Sequence, residues 1–275
     1  MRKEQVFVNA PRTMPEVDGP LAGVRNVIAV ASAKGGVGKS TLSINLALAL
    51  AATGARVGLL DADIYGPSIP MMMGVAQQPE TESEGVIRPV EKDGVALMSI
   101  GFIAGEDAPV VWRGPLLARA LQQFLHQVIW GEIDYLFIDL PPGTGDVPLT
   151  LSQSVALSGA LIVTTPQSVA LEDVERGMAM FDKVEVDILG VVENMSYYLC
   201  GQCNERHEIF AHGGGAEAAA KLGVPFIGAV PLASAIRQGG DAGDATAVRD
   251  GEYGSLFAEI GQRLVAELGK LETVG

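Results

Sequence analysis

The segment from Asn26 to Thr41 constrains the fold of this chain more than any other stretch, and it reads NVIAVASAKGGVGKST. It opens with an unbroken apolar run at residues 27–31, which is typical of a strand buried on both faces of a parallel sheet. A glycine-rich turn follows, and a helical pattern of leucines starts directly after it. Strand, turn and helix N-terminus together predict a phosphate-binding loop, because backbone N–H groups and the positive end of the helix dipole converge on one anion.

The turn also supplies two side chains that suit a nucleotide. Lys39 brings a full positive charge to the phosphates, and the Ser40 hydroxyl can hold Mg²⁺. We therefore predict that the nucleotide is bound by the residues of this turn, which are Lys34, Gly35, Gly36, Val37, Gly38, Lys39, Ser40 and Thr41.

The common form of this loop, G-x-x-x-x-G-K-[ST], has glycine where this chain has Ala33, and Lys34 then adds a second lysine. The stretch KGGVGKST resembles the deviant Walker A loop of the ParA/MinD superfamily. In that superfamily the early lysine reaches across a dimer to the nucleotide of the other subunit. The resemblance therefore implies this role for Lys34 and a dimer that faces across the nucleotide site.

Three carboxylates are predicted at the same edge of the sheet. An apolar strand at residues 55–60 delivers Asp61 and Asp63 to its carboxyl end, where ligands of open α/β sheets lie, and another strand ends in Asp139. A carboxylate beside the terminal phosphate can orient or deprotonate the attacking water, as we expect of Asp63. Asp139 is expected to hold Mg²⁺ together with the loop hydroxyl. Two roles are considered for Asp61. It could support the metal ligands without binding the metal itself, or it could be structural. The candidate catalytic residues are Lys34, Lys39 and Asp63.

Two further segments point to the same site. The loop at residues 141–146, PPGTGD, directly follows Asp139 and is predicted to be a switch whose backbone N–H groups sense the terminal phosphate. Asn194 follows a buried strand at residues 188–192, and its amide can pair with both a donor and an acceptor of adenine. The alternative for Asn194 is an asparagine that caps the end of the strand.

The pattern as a whole predicts a single doubly wound α/β domain, with helices on both faces of a mainly parallel sheet of about seven or eight strands. We place this domain at residues 24–275 and an extended arm at residues 1–23. Further strands are expected at 95–102 with 110–112, 161–165 and 226–230, and helices at 112–130, 171–181 and 255–271. A loop or short hairpin is expected at 76–95, a loop-rich segment at 231–245, and a packing role for the methionines at 71–73.

The charge balance bears on possible partners. Lys and Arg number 19 against 33 Asp and Glu, so the formal net charge is −14, which disfavours non-specific binding to nucleic acid and to anionic lipid. We find no secretory signal and no run of the ~20 apolar residues that a membrane helix needs. The expected setting is cytoplasmic, without a nucleic-acid or membrane partner.

Two cysteines, Cys200 and Cys203, are spaced as CxxC, which indicates metal or redox chemistry in a cytoplasmic protein. A redox dithiol is disfavoured because no helix pattern follows Cys200. A zinc site completed by His207 and His212 has suitable ligand types, but its Cys-to-His gap is far shorter than the ~12 residues of a zinc finger. A two-fold axis could instead bring four thiolates together around a [4Fe–4S] cluster or a Zn²⁺ ion. An inert pair is the remaining alternative.

Over residues 24–250 the chain resembles the Mrp/ApbC family of P-loop ATPases, which carry iron–sulfur clusters to apoproteins. The segments that carry the resemblance are KGGVGKST, DADIYGPSIPMMMG, WRGP, DLPPGTGD, ENMSYYLCGQC with IFAHGGG, and VPLASAIRQGGDAGDA. It implies a homodimer that binds ATP at residues 34–41 and shares one [4Fe–4S] cluster through Cys200 and Cys203 of each subunit. It also implies Asp63 as the switch I aspartate, Asp139 as the Walker B residue and Asn194 as the adenine contact. Many bacterial members carry a small domain before the loop, and here about two dozen residues precede the first strand.

Our mechanistic hypothesis is a switch-like ATPase with slow hydrolysis, in which ATP and Mg²⁺ bind between the subunits and nucleotide state biases capture or release of the cluster. One alternative is a positioning ATPase of the ParA/MinD type on DNA or a membrane, which would need a basic patch or a cationic amphipathic tail. The other is a dimeric scaffold that uses ATP without hydrolysis, or is bridged by zinc at the cysteine pair.

Overall fold

The structure is a computed structural model and describes residues 21–64, 66–82, 85–104, 114–143, 146–167, 169–203 and 205–272. Residues 1–20 of the predicted arm, the predicted strand at 110–112 and two residues of the predicted switch loop, Thr144 and Gly145, lie outside this part.

The described part contains twelve strands and ten helices. The strands are β1 (Val24–Ala31), β2 (Val57–Asp61), β3 (Glu80–Thr81), β4 (Ile87–Arg88), β5 (Val90–Lys92), β6 (Val95–Ser99), β7 (Ile133–Asp139), β8 (Gly159–Thr164), β9 (Ile188–Glu193), β10 (Tyr198–Leu199), β11 (Arg206–His207) and β12 (Phe226–Ala229). The helices are α1 (Lys39–Ala51), α2 (Ile69–Met72), α3 (Gly101–Ala104), α4 (Gly114–Gln127), α5 (Asp146–Ser154), α6 (Ala170–Asp182), α7 (Gly214–Leu222), α8 (Ser234–Asp241), α9 (Thr246–Arg249) and α10 (Gly254–Glu272).

Eight of these strands form one sheet in the order β12-β9-β8-β1-β7-β2-β6-β5. All neighbours run parallel except the edge strand β5, which pairs with β6 in the antiparallel direction. The glycine-loop strand β1 lies in the middle, with β7 on one side and β8 on the other. The predicted doubly wound, mainly parallel sheet is therefore confirmed.

Each face of the sheet is covered by its own helical layer, as the alternation of side chains along β1 shows. Ala29 packs into a core that includes Phe124 of α4 and Phe181 of α6. Ile28 and Val30, whose side chains point the other way, pack into the opposite core with Leu46 of α1. Because successive side chains of a strand point to opposite faces, a continuous apolar run is what burial on both faces requires.

The segment at residues 231–245 differs from expectation. Instead of a loop it contains the helix α8, in which Ile236, Gly239 and Gly240 are buried. A Cβ on Gly240 would lie 3.0 Å from Cε of Met72, so the glycine permits close packing against α2. Local glycine content argues against a helix, and the tertiary contact overrides it.

Two element ends were also wrong. The strand predicted at 95–102 stops at Ser99, whose hydroxyl accepts a hydrogen bond from Gly101 N at 3.0 Å and so turns the chain into α3. Helix α4 ends at Gln127 rather than at residue 130, because the following residues run beside β4, where Ile129 N donates to Ile87 O at 2.9 Å.

Of the three methionines predicted to pack, Met73 is buried and Met71 is 67% exposed. The packing role is thus confirmed for Met73 and for Met72, which is partly buried against the same core, and wrong for Met71, which lies on the outer side of the short helix α2. No helix in the described part of the chain has the length and apolarity needed to cross a membrane.

Candidate nucleotide site and cysteine hairpin

The glycine loop lies between β1 and α1 and takes its shape from two left-handed residues. Gly36 has a φ of +77° and Gly38 a φ of +82°, a region that favours glycine. Gly38 is further restricted because a Cβ there would lie 2.1 Å from Nδ2 of Asn194. Helix α1 begins at the next residue, so its first N–H groups face the loop. This is the geometry of an anion site at a helix N-terminus.

Lys39 and Asp139 meet at the base of the loop. The Lys39 Nζ atom lies 2.8 Å from Oδ2 of Asp139 and 3.8 Å from Oδ2 of Asp63. Asp139 accepts hydrogen bonds from the hydroxyls of Ser40 at 2.6 Å and Ser43 at 2.8 Å. The structure thus brings the predicted residues Lys39, Ser40, Asp63 and Asp139 together, and adds Ser43, which the sequence interpretation missed.

Ser43 could have been found from its spacing. It follows Ser40 by three residues on α1, and residues three apart share one side of a helix. Both hydroxyls therefore face the end of β7.

The oxygen atoms at this point suit Mg²⁺. The fully buried carboxylate of Asp139 and the Ser40 hydroxyl that it contacts are hard oxygen donors, the kind that Mg²⁺ prefers. Asp63 adds a second carboxylate within 3.8 Å of the same lysine. The donor set fits the ion, and its assignment as a ligand set is a proposal.

Asp61 is engaged with the segment that follows it. Its fully buried carboxylate accepts hydrogen bonds from the Ser99 hydroxyl at 2.9 Å, from Asp63 N at 3.2 Å and from Ile69 N at 3.3 Å. Burial, followed by the negative charge of Asp139, raises the pKa of Asp61 to about 7. These contacts favour the structural alternative for Asp61, because they hold the backbone at Asp63 and at Ile69.

Lys34 lies at the outer end of the loop and pairs within its own chain. Its Nζ atom is 2.8 Å from Oδ2 of Asp173, in the first turn of α6. The predicted switch loop also reaches this end, since Gly143 N donates to Ser32 O at 2.8 Å and a Cβ on Gly35 would lie 3.8 Å from Pro142. The reach of Lys34 across a dimer stays a prediction.

Asn194 contacts the glycine loop directly. Its Nδ2 atom donates to Val37 O at 2.7 Å, and its backbone N donates to Thr164 O at 2.8 Å at the end of β8. The asparagine therefore ties β9 to the loop, and the predicted contact with adenine is not tested by this geometry.

The cysteines lie in the turn of a short hairpin made by β10 and β11. Cys203 is exposed and Cys200 half-buried, and Cys200 N donates to Glu205 O at 2.9 Å across the turn. Hydrogen bonds from the backbone N–H groups of Gln202 and Cys203, and then from the Cys203 thiol, lower the pKa of the Cys200 thiol. The hairpin thus presents two thiols, and the lowered pKa of Cys200 favours its thiolate, the form in which a cysteine can bind a metal.

The histidines near the hairpin make other contacts. The His207 ring is tilted by 35° to the ring of Tyr198, with centroids 6.3 Å apart, and the Nδ1 atom of His212 lies 3.0 Å from Nη2 of Arg206. Among the described residues, no three His, Cys, Asp or Glu side chains are close enough to hold a metal ion. The four ligands of the single-chain zinc alternative are therefore not brought together here.

Comparison with known proteins identifies the family. The model of the NUBPL iron-transfer P-loop NTPases, within the ParA group, matches residues 23–266. The iron-sulfur cluster carrier protein of Haemophilus influenzae is 49% identical over 249 residues, which are 90% of this chain and 67% of that protein.

Solved structures agree with this result. A nucleotide-binding protein from Archaeoglobus fulgidus, in complex with ADP, matches with a TM-score of 0.76 at 39% identity, over 86% of this chain and 94% of that protein. The cell division ATPase MinD of Pyrococcus furiosus matches with a TM-score of 0.63 at 22% identity, over 88% of this chain and 98% of MinD, which shows a shared fold.

The matched range includes the glycine loop, the carboxylates of β2 and β7, and the cysteine hairpin. The resemblance to cluster-carrying P-loop ATPases in the sequence is thereby confirmed at the level of the family. With its eight-stranded, mostly parallel sheet and central glycine loop, the chain belongs to the NUBPL iron-transfer family of ParA-type P-loop NTPases.

Proposed function

We propose that the protein is an ATP-binding and ATP-hydrolysing carrier of [4Fe–4S] clusters, which holds its cargo between two copies of the chain and transfers it to apoproteins. The observation that carries the proposal is the position of the glycine loop relative to the cysteine pair. The seven-residue stretch from Asn194 to Cys200 starts at a contact with the glycine loop, next to the buried Lys39–Asp139 pair, and ends at the two cysteines.

The chain's own residues perform the steps at the nucleotide. Backbone N–H groups of the glycine loop and the N-terminus of α1 bind the phosphates, and Lys39 offers its charge to them. Ser40 and Asp139 would hold Mg²⁺, which neutralises phosphate charge when bound. Asp63, fixed by Asp61, orients the attacking water. Hydrolysis is slow and acts as a switch between two states of the dimer.

The cysteine pair accounts for the cargo. Thiolates are the common ligands of [4Fe–4S] clusters, and such a cluster takes four. One chain presents two, Cys200 and Cys203, so two chains complete the set. Lys34 reaches across the same dimer to the nucleotide of the second copy. The name of the Haemophilus influenzae relative, an iron-sulfur cluster carrier protein, supports this cargo.

The net charge of −14 supports partners that are proteins rather than nucleic acid or anionic membrane. We place the protein in the cytoplasm, where thiols stay reduced and available for a cluster.

Anaerobic transfer tests the function. The chain is reconstituted with iron and sulfide, separated from free reagents, and mixed with an apoprotein that becomes active on receiving a [4Fe–4S] cluster. We expect activation of that acceptor by the wild type. The variant Cys200→Ala/Cys203→Ala is expected to bind ATP normally and to transfer nothing. A wild-type protein that takes up only zinc, or a double variant that still activates the acceptor, would overturn the proposal.

A further inference from the structure

The last residue of β9, Glu193, and the residue after it, Asn194, contact different parts of the molecule. Asn194 donates to the carbonyl of Val37 in the glycine loop, as described above. The preceding residue, Glu193, belongs to the other side of the strand and makes no contact with that loop in the hydrogen bonds of the described residues. Two consecutive residues at the end of β9 thus make contacts in opposite directions.

Glu193 is buried, with 1% of its surface exposed, and both of its oxygens are occupied. Oε1 accepts a hydrogen bond from the Ser196 hydroxyl at 2.6 Å, and Oε2 accepts one from Gly215 N at 2.5 Å. Gly215 lies in the first turn of α7, where a carboxylate is favoured by the helix dipole. The glutamate therefore joins the end of β9 to α7 and to residues 194–197, which lead into the cysteine hairpin and are called its root below.

The root of the hairpin is held on both sides. Ser196 N donates to Val230 O at 2.9 Å, and Leu232 N donates to Tyr197 O at 2.7 Å. Met195, between Asn194 and Ser196, has a φ of +55°, which is uncommon for a residue other than glycine. Residues 194–197 therefore form a fixed turn, and a displacement at one end must be absorbed at the other or must break a bond.

We propose that Glu193 and Ser196 are positioning residues that transmit nucleotide binding at the glycine loop to the geometry of the cysteine pair. Nucleotide that moves Val37 or the Asn194 amide shifts the end of β9. The Glu193–Ser196 hydrogen bond carries this shift to the residues that lead into Cys200. Neither residue belongs to the glycine loop or to the cysteine pair. The inference rests on the proposed function, since it requires ATP and cluster to bind the same protein.

Thermodynamic linkage gives the test. If nucleotide changes the affinity of the thiols for the cluster, cluster loading changes nucleotide affinity by the same factor, commonly about 5- to 150-fold. The dissociation constant of a non-hydrolysable ATP analogue is therefore measured by anaerobic calorimetry on the full chain, with and without a reconstituted cluster.

Ser196→Ala removes the hydroxyl that Glu193 holds and leaves the bond from Gly215 in place. Glu193→Gln is the second variant and retains the shape of the side chain. Thr246→Ala is the matched control, because the Thr246 hydroxyl also donates to a carboxylate at 2.6 Å, that of Asp244, at a position outside both sites. The rate at which a thiol reagent modifies apo protein, with and without the analogue, gives a readout that needs no cluster.

We expect the wild type and Thr246→Ala to show an affinity ratio of about fivefold or more between loaded and unloaded protein. Ser196→Ala should bind both ligands yet bring the ratio close to one, and the analogue should no longer change its thiol reactivity. If Ser196→Ala and Glu193→Gln keep the wild-type ratio, or the wild-type ratio is itself one, the inference is wrong while the carrier function stands. A wild type that binds no cluster would overturn both. Should Glu193→Gln fail to fold, Ser196→Ala alone decides.

Discussion

The Nζ atom of Lys39 lies 2.8 Å from Oδ2 of Asp139, and neither side chain is more than 6% exposed. The pair joins the first residue of α1 to the last residue of β7. Removing one partner of such a buried pair commonly costs about 3–5 kcal/mol, because the other charge is left without its counterion. We therefore expect phosphate and metal to exchange these charges on binding, with the phosphates pairing with the lysine and the cation with the aspartate.

Asp139→Asn tests this exchange. The amide keeps the size of the side chain but loses the negative charge that a cation needs. We expect Mg²⁺ to strengthen ATP binding by about tenfold or more in the wild type, which corresponds to about 1.4 kcal/mol, and by less than about twofold in the variant. Calorimetric titration with ATP, in Mg²⁺ and in a chelator, measures both values.

Ser43→Ala is the matched control for Asp139→Asn. It removes one hydrogen bond of 2.8 Å to the same carboxylate but no charge. We expect a loss of about 1 kcal/mol in the free energy of unfolding and an unchanged effect of Mg²⁺. A full Mg²⁺ effect in Asp139→Asn would remove this residue from the proposed metal site.

The two left-handed glycines of the loop form a natural comparison. Gly36→Ala and Gly38→Ala both place a Cβ in a region that costs about 1–2 kcal/mol for an L-residue. At Gly36 nothing lies within 4 Å of the added carbon, whereas at Gly38 the Asn194 amide nitrogen is only 2.1 Å away. We expect Gly38→Ala to lose about 1–3 kcal/mol more in the free energy of urea unfolding than Gly36→Ala.

The double variant Gly38→Ala/Asn194→Ala completes that experiment. It removes the amide that the new Cβ would meet, so its loss should approach the sum of the separate effects of Gly36→Ala and Asn194→Ala. Equal losses for the two single glycine variants would show that Asn194 does not hold the loop in solution.

Lys34→Ala addresses the predicted dimer contact. Lys34 pairs with Asp173 in its own chain and does not contact Lys39 or its carboxylate partners in the described hydrogen bonds and ion pairs. We expect the variant to bind ATP but to lose ATP-dependent dimerisation and hydrolysis, measured by light scattering and phosphate release. Lys270→Ala, which removes a lysine paired with Glu267 on α10, serves as the control and should dimerise normally. A Lys34→Ala protein that still dimerises with ATP would contradict the assigned reach of this lysine.

A stability prediction concerns the opposite end of the sheet. Arg56 donates to both oxygens of Asp134, and these hydrogen bonds lower the pKa of Asp134 from 3.8 to about 2. Because the folded chain favours the ionised form, this contribution to stability is present above about pH 4 and disappears as the pH falls toward 2. The difference in free energy of unfolding between wild type and Asp134→Asn should follow the same course.

Urea unfolding at a series of pH values measures this difference. Glu132→Gln is the control, since its carboxylate lies 3.8 Å from Arg56 and is 77% exposed. It should show little of the effect, as expected of an exposed ion pair. A constant difference between wild type and Asp134→Asn from pH 7 to pH 2 would contradict the assigned pair.

The sequence was sufficient to predict the parts of the fold that are written as local patterns. The apolar run before Lys34 and the run that ends in Asp139 each identify a strand buried on both faces, and parallel strands necessarily share their carboxyl edge. Lys39, Ser40, Asp63 and Asp139 could therefore be placed together without a structure.

Contacts between segments that are distant in the sequence could not be predicted from local patterns. The hydrogen bond from Asn194 to Val37 spans 157 residues, and in the helix α8 it is Gly240 that packs against Met72 of α2. Ala, Arg and Gln in SAIRQGGD favour a helix and the two glycines disfavour one, so the local pattern does not decide and the tertiary neighbour does. The pairing of Lys34 with Asp173 likewise follows from the position of α6 in the fold.

The most direct test of the central claim is the mass and iron content of the anaerobically reconstituted protein with ATP bound, measured by native mass spectrometry. The account predicts a species of two chains that carries one [4Fe–4S] cluster, and loss of that cluster in Cys203→Ala. A single chain that retains a cluster, or a dimer of Cys203→Ala that still holds one, would contradict it.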